Sequence, residues 1–433
     1  MSARRVSLFV LLAVLPAAVQ VSAEDGGTRH SESLPALRSI FQLAELKGSN
    51  VQYLSNLGYS IAVSGNTVVV GAPGGSDGQG DFTDGSAYVY VKSADGWSNM
   101  TQVAILTASD SGGANGFGLS VAISGNTIVV NSNLPEIYVF SMPAGGWVNM
   151  TETAILSVPS TGLNPCLCGQ VVIDGNTIAV GSPLDSLGNL GSIEVFVKPA
   201  SGWKNASEPS AVLSQPDAGS EEQSFRSIAI SGKTIVGEGL SFSSGTGEYF
   251  IYLFLEPAKG WNGNYTPQAT LSSTQAGNYF GGGSVAVSGN TVIAGSNSPN
   301  LTYFPPSFVD VWVEPAGGWT NMTQTAQLSD GTASYADGFG TSIGIAGKTI
   351  VVGTPAAIVI KTGKSYRGAA YVFNEPAEGW QTTTKPNLEL LNSDWTSNDG
   401  FGSSVAMSGS TIVVGAPLGP NGSDNGEAYI FAQ

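Results

Sequence analysis

The 433-residue chain holds 58 glycines, only 11% charged residues, and 16 Lys and Arg against 32 Asp and Glu. A net charge of −16 lacks the basic footprint that phosphate binding requires, which excludes a nucleic-acid partner. Abundant Gly, Ser, Thr and Asn with few Lys and Glu disfavours helices and suits a turn-dense β protein.

The chain opens on Arg4 and Arg5, an apolar run over 6–19 and a small-residue cleavage pattern at Val21-Ser22-Ala23. That run is too short for a membrane span and ends at a cleavage signal, so residues 1–23 read as a secretory signal peptide. Residues 24–38 read as a flexible lead-in to a propeller over 39–433. Losing two arginines with the signal leaves 14 basic against 32 acidic residues, a mature net charge of −18. The expected product is soluble and either secreted or periplasmic, because no later stretch is long and apolar enough to cross a bilayer.

One phrase then recurs seven times: a short apolar strand, a glycine turn, and a second, β-branched strand. The turns are Ser64-Gly65-Asn66-Thr67, Ser124-Gly125-Asn126-Thr127, Asp174-Gly175-Asn176-Thr177, Ser231-Gly232-Lys233-Thr234, Ser288-Gly289-Asn290-Thr291, Ala346-Gly347-Lys348-Thr349 and Ser408-Gly409-Ser410-Thr411. Their starts lie 60, 50, 57, 57, 58 and 62 residues apart, the mark of a repeat architecture. Before each turn runs a strand such as Ser120-Val121-Ala122-Ile123, opened by Phe117-Gly118, Phe339-Gly340, Phe401-Gly402 or the variant Leu57-Gly58. Gly-Asn between two β runs predicts a hairpin, with positive φ open to both turn residues.

The second strand ends at Gly71-Ala72-Pro73, Gly181-Ser182-Pro183, Gly353-Thr354-Pro355 or Gly415-Ala416-Pro417, and a loop of variable length follows. The third strand is aromatic and alternating, as in Ala87-Tyr88-Val89-Tyr90 and Ala428-Tyr429-Ile430-Phe431. A uniform Gly-Trp turn, at Trp97, Trp147, Trp203, Trp261, Trp319 and Trp380, leads to a fourth strand such as 102–106. The predicted blades are 56–107, 116–157, 167–214, 225–272, 280–329, 339–391 and 401–433.

The last copy stops after its third strand, while residues 41–46 match an orphan fourth strand. An N-terminal strand over 40–46 that completes the last blade predicts a closed ring of four-stranded antiparallel blades, an all-β seven-bladed propeller. A linear solenoid would need atypical capping repeats instead.

Phe-Gly, a strand, then Gly-Ala-Pro, seven times over, resembles the FG-GAP repeats of the integrin α-subunit β-propeller, in the form found in exported bacterial proteins. The resemblance covers about 40–433. Leu167-Cys168 departs from Phe-Gly in the third copy, and the fourth opens on Phe225-Arg226 in a shifted register.

In a four-stranded meander the 1–2 and 3–4 turns share one face, and the variable 2–3 and 4–1 loops share the other. Variable loops on a rigid scaffold are the usual seat of binding, so the expected ligand contacts are Asp110, Asp330, Asp337, Asp394, Trp395 and Asp399. The resemblance also implies calcium, through Asp-x-Asp-x-Asp-Gly loops between strands two and three. Here Asp77, Asp81 and Asp84 are irregularly spaced, and Asn421, Ser423 and Asn425 are neutral. These six form a degraded calcium pattern that ordinary turn chemistry explains equally well. In the sixth copy Lys361, Lys364 and Arg367 replace acids altogether.

The repeated tryptophans fit either packing between blades or an aromatic carbohydrate platform; one fixed position per repeat favours packing. Cys166 and Cys168 read as core-filling residues or as a redox or metal pair. The sequon asparagines Asn99, Asn149 and Asn321 share one repeat position, which duplication alone explains. His30, the sole histidine, precedes the ring, so the fold holds no Ser-His-Asp or Cys-His arrangement and no His metal cluster. The chain therefore reads as a non-enzymatic, monomeric, extracellular or cell-surface binding and adhesion module, with a protein or glycan as partner. Rival readings are a hydrolase or lyase using carboxylates at the central channel, and a purely structural envelope protein.

Overall fold

The computed structural model describes residues 39–49, 55–74, 85–110, 116–158, 169–184, 190–215, 225–241, 248–274, 284–295, 307–331, 337–361, 363–393, 399–419 and 425–432. They lie within one compact unit, Leu37–Gln433. The signal-like segment, Cys166 and Cys168 fall outside them.

The described strands form seven sheets, one per repeat. In the first blade Ser60–Ser64, Thr67–Ala72, Ser86–Val91 and Ala104–Thr107 pair in antiparallel order from the channel outward. The other six repeat this meander, so the all-β propeller read from the sequence is the observed architecture. The repeated hairpin differs in one detail. Only its glycine has positive φ, +55° to +57° in all seven turns, so the turn is of the II′ kind rather than I′. The residue after glycine is then unconstrained in φ, which is why Asn, Lys and Ser all occur there.

Ring closure also follows the expected route, with one correction. Ala44–Lys47 pairs antiparallel with Glu427–Ala432 (Ala44 opposite Ile430, Leu46 opposite Ala428) and completes the seventh blade. The expected single strand over 40–46 is broken at Gln42-Leu43, and Ser39–Phe41 instead runs parallel to Leu388–Leu391 of the sixth blade. One N-terminal segment thus staples two blades.

A second correction concerns strand number. Five of the sheets carry a fifth, parallel strand donated by other parts of the chain. After the Gly-Trp turn, Met100–Thr101 pairs with Leu46 and Lys47, Met150–Thr151 with Leu106 and Thr107, and Met322–Thr323 with Leu271 and Ser272. Two residues are too short to show a periodicity in sequence. The residue before each strand locks it: Asn99 Oδ1 accepts from Glu45 N (2.9 Å), Asn149 from Ile105 N (2.8 Å) and Asn321 from Thr270 N (2.8 Å). Asn205 does the same for Ile155 N (2.9 Å), and Thr382 Oγ1 for Gln327 N (3.2 Å). The asparagine of the repeated sequon therefore has a structural task of its own.

The apolar core lies between blades, not within them. Seven buried clusters each draw on two adjacent blades; Val69, Val89 and Leu106 of the first, for example, meet Val121, Ile128, Tyr138 and Phe140 of the second. The Phe-Gly and Gly-Ala-Pro elements are parts of the same contacts. Phe117 packs edge-on against Tyr138 and Phe140, and Phe401 against Tyr429 and Phe431. The glycine after each phenylalanine lies on the Gly-Ala-Pro glycine of the preceding blade: a Cβ on Gly353 would meet Gly402 O at 2.1 Å, and one on Gly415 would meet Gly58 O at 2.3 Å.

Phe225 explains the shifted register of the fourth copy. It occupies the glycine position itself, at φ +63°, and a Cβ on Gly181 would meet its carbonyl at 1.9 Å. Its ring still reaches Tyr252 and Phe254 (centroids 6.2 Å apart in both cases), filling the place of the missing phenylalanine.

Two measurements check this account. Deleting residues 39–47 removes a strand from two blades and should lower Tm steeply or abolish folding; an unchanged Tm by calorimetry would contradict ring closure. Gly402→Ala, whose Cβ would meet Ala369 O at 2.4 Å, should cost ~3 kcal/mol or more in denaturant unfolding. Gly347→Ala, with nothing within 4 Å, should cost only the ~1–2 kcal/mol of its left-handed backbone.

Candidate ligand-binding face

The two faces of the ring differ in chemistry. On the turn face each repeat bonds to the next: Gly125 N donates to Ser64 Oγ (3.1 Å), Gly175 N to Ser124 (2.9 Å), Gly232 N to Asp174 Oδ2 (2.6 Å), Gly289 N to Ser231 (3.2 Å) and Gly347 N to Ser288 (3.1 Å). Gly65 N donates to Ser408 Oγ (3.2 Å), which joins the last blade to the first. At the sixth-to-seventh junction Ala346 has no side-chain oxygen to offer. The uniform turns are thus inter-blade bolts, which accounts for their repetition without any ligand.

Where the inner strands begin, on the face of the variable loops, a cavity of about 520 Å³ opens at the mouth of the central channel. Ser60, Ser120, Gln170, Ser227, Ser284, Ser342 and Ser404, one from each blade, ring it. Several of these also bolt blades together. Ser60 Oγ donates to Gly118 O (2.8 Å), Ser342 to Gly402 O (2.8 Å) and Ser404 to Gly58 O (2.7 Å), while Ser120 and Ser227 accept from Val171 N (3.1 Å) and Val285 N (2.9 Å). The residue before each ring position varies from blade to blade: Tyr59, Leu119, Gly169, Arg226 and Ser403 all line the cavity. Among the described lining residues none is a carboxylate, and Arg226 is the one that carries charge.

The acids expected to contact ligand serve the blades instead. Asp399 is fully buried, takes Phe401 N (3.0 Å) on Oδ1 and Asn392 Nδ2 (2.6 Å) on Oδ2, and so holds the turn into the inner strand. Asp337, also buried, does the same for Phe339 N (3.2 Å). Tyr138 OH donates to both oxygens of Asp110 (3.1 and 3.2 Å) across the first junction. Asp330 acts likewise on Tyr371: burial, then Glu389, Asp330 and Asp337, push that phenol well above its ordinary value. Asp394 and Trp395 lie outside the described residues.

Of the six candidate calcium ligands, Asp77, Asp81, Asp84, Asn421 and Ser423 also lie outside them. Asn425 uses its carbonyl to accept from Leu57 N (3.2 Å) and Ser55 Oγ (3.2 Å) at the closing junction. Among the described residues no three His, Cys, Asp or Glu side chains converge on a cation-sized space. The described residues therefore do not assemble a calcium shell.

The aromatic-platform reading of the tryptophans gives way to packing. Trp147, Trp203, Trp261, Trp319 and Trp380 are all buried in the inter-blade clusters, and Trp97 packs against the closing junction. Trp312, outside the repeated register, takes the place of Tyr90 in the third strand. Each donates to a carbonyl at the end of the preceding fourth strand, Trp312 Nε1 to Ser272 O (3.3 Å) and Tyr90 OH to Lys47 O (3.1 Å).

Two acids the sequence reading passed over sit where five blades carry a third-strand tyrosine. Glu194 and Asp310 occupy the positions of Tyr88, Tyr138, Tyr252, Tyr371 and Tyr429. The signal was present as a break in the aromatic pattern of the third and fifth copies. Burial pushes Glu194 up to about 7 despite the hydroxyl of Ser192, and Asp310 up to about 6 despite the amide of Gln327 (2.9 Å). Burial likewise holds Glu238 up at about 8, with Arg226 opposing, and raises Glu427 where Glu45 adds to it.

Four stretches of the chain, residues 41–90, 100–135, 322–373 and 388–431, match the sequence family described as FG-GAP repeat. No curated protein matches the chain in sequence. Among solved structures, the WD40 β-propeller domain of Doa1 is similar at TM-score 0.50 and 15% identity, over 91% of this chain and 97% of that one. The computationally designed protein Ika8 (TM-score 0.47, 13% identity, 91% and 100% covered) is also similar. So is BamB from Moraxella catarrhalis (TM-score 0.43, 10% identity, 87% and 85% covered). At such identities the likeness to Doa1 speaks to fold alone.

The buried acids set a pH dependence. Their folded pKa values, about 6 to 8, lie above the 3.8 to 4.5 of an unfolded chain, so the native state binds more protons. Their contribution is complete below the unfolded values and is lost as pH rises through 6 to 8. Tm should therefore be lower at pH 8.5 than at pH 5, and Glu194→Gln with Glu238→Gln should flatten that slope.

Proposed function

This chain is an FG-GAP repeat β-propeller, and from that premise we infer that it is an exported binding and adhesion module acting through its variable-loop face. The observation that carries the reading is the contrast between the faces. The turn face is spent on inter-blade bonds, whereas the loop face opens a cavity whose rim residues differ from blade to blade. Leu134 and Leu418, both exposed, stand on loops of that same face. Such a rigid frame with unlike side chains around a concavity suits recognition. Serines, an amide and a guanidinium at the channel mouth, rather than paired carboxylates, favour binding over acid–base hydrolysis. Export is supported by the basic–apolar–small pattern of residues 1–23 and places the partner, a protein or glycan, outside the cytoplasm.

A glycan array and a pull-down from envelope extracts test this reading. Ligand capture should fall at least tenfold in Leu134→Glu/Leu418→Glu and stay unchanged in the turn-face pair Lys233→Glu/Lys348→Glu, with all three proteins equally stable. The reverse pattern would move the binding surface to the turn face. Capture of nothing by the parent protein would leave a structural envelope role in its place.

A further inference from the structure

The geometry points to the channel mouth as a site for an acidic saccharide, with Gln170 and Arg226 receiving its carboxylate and Tyr59 facing its ring. This rests on the reading of the loop face as the binding face and gives it a ligand class.

Two neighbouring blades break the ring in the same chemical direction. Six blades place serine at the ring position, and the third places Gln170. The fourth blade follows with Arg226 at the preceding position, where other blades have Tyr59, Leu119, Gly169, Thr341 and Ser403. The two residues are adjacent, since Gln170 N donates to Arg226 O (3.0 Å). Gln170 Oε1 is turned away from the cavity to accept from Ile228 N (3.3 Å) and Ser227 Oγ (3.3 Å). That orientation leaves the Nε2 donors for the cavity. A guanidinium beside an amide NH₂, both donors and one charged, is complementary to a carboxylate. Glu238 is the acid that acts on Arg226, and burial keeps its carboxyl mostly protonated near neutrality, so the guanidinium charge is not cancelled.

Arg226 is also held at a cost in backbone strain. Phe225 before it sits at φ +63°, a region bulky residues avoid and one that concentrates at functional positions. Opposite the donors the rim is of another kind. Tyr59 is 49% exposed and offers a flat face to the C–H side of a pyranose, and the serine oxygens and Asn133 meet hydroxyls. A cavity of about 520 Å³ suits one to three sugar units rather than a folded partner.

Calorimetric titration of the full mature chain with trigalacturonate tests the assignment, with maltotriose, acetate and inorganic sulfate as the other arms. Trigalacturonate should bind at least tenfold more tightly than maltotriose or either simple anion. Arg226→Thr and Gln170→Ser, each the residue another blade carries there, should weaken it at least tenfold while Tm is kept. Tyr59→Ala should weaken trigalacturonate but leave any acetate binding unchanged. Equal binding by the parent and Arg226→Thr, or none by the parent at millimolar ligand, would overturn the site. Sulfate binding as tightly as trigalacturonate would reduce it to an anion site and overturn the saccharide class. If trigalacturonate fails while Leu134→Glu/Leu418→Glu still abolishes capture on the array, this assignment falls and the loop-face reading stands; if the array is also blank, both fall.

Discussion

Apolar side chains in this protein find cover only against a neighbouring blade. A four-stranded sheet has two faces, and in all seven blades each face is buried on the next sheet round the ring. No blade possesses a core of its own, so no blade is stable until its neighbours stand beside it. The ring must close for the last pair of faces to be covered. Nearly every repeated residue can be read as an answer to that demand: the Phe ring between sheets, the paired glycines where backbones touch, the serine that bolts one turn to the next, and the asparagine that holds the outer strap.

The same demand separates structure from recognition. Where all seven repeats agree, the residue is engaged across a junction; where they disagree, it is free to vary without loosening the ring. The departures are of two kinds. Ala346 simply omits a bolt, and Glu194 and Asp310 place acids where tyrosine packs elsewhere, with burial raising both pKa values. Gln170 and Arg226 instead change the chemistry of the one large concavity, side by side, in a ring that is otherwise serine.

Fold and closure were legible in the sequence because both rest on periodicity. The II′ hairpin, the third-strand aromatics and the orphan strand near the N-terminus all announce themselves by position in the repeat. What escaped is what crosses between copies. Ser64 and Gly125 are bonded but lie 61 residues apart, and nothing local marks them as partners. Asp337 and Asp399 were assigned to exposed loops because acids in loops are usually solvated. Each is instead drawn inward by a backbone N–H two residues ahead, a choice of side-chain direction that composition does not record. Phe225 escaped because a bulky residue is not expected at a glycine's φ. The donor pair at the channel mouth was hidden for a further reason, since its members come from different blades and only the closed ring sets them together.

The staple at the N-terminus has a temporal meaning as well as a spatial one. Ala44, among the first residues of the ring to be synthesised, finds its partner in Ile430, among the last. Until the final strand emerges, the first and seventh positions of the ring remain raw sheet faces with apolar side chains and unpaired edges in the open. The growing chain is thus a lengthening arc whose two ends are adhesive to each other and to any similar arc nearby. Domain-swapped and open-ended assemblies are the natural errors of such a molecule, and the slow, long-range docking of residues 39–47 is the step that ends its exposure to them.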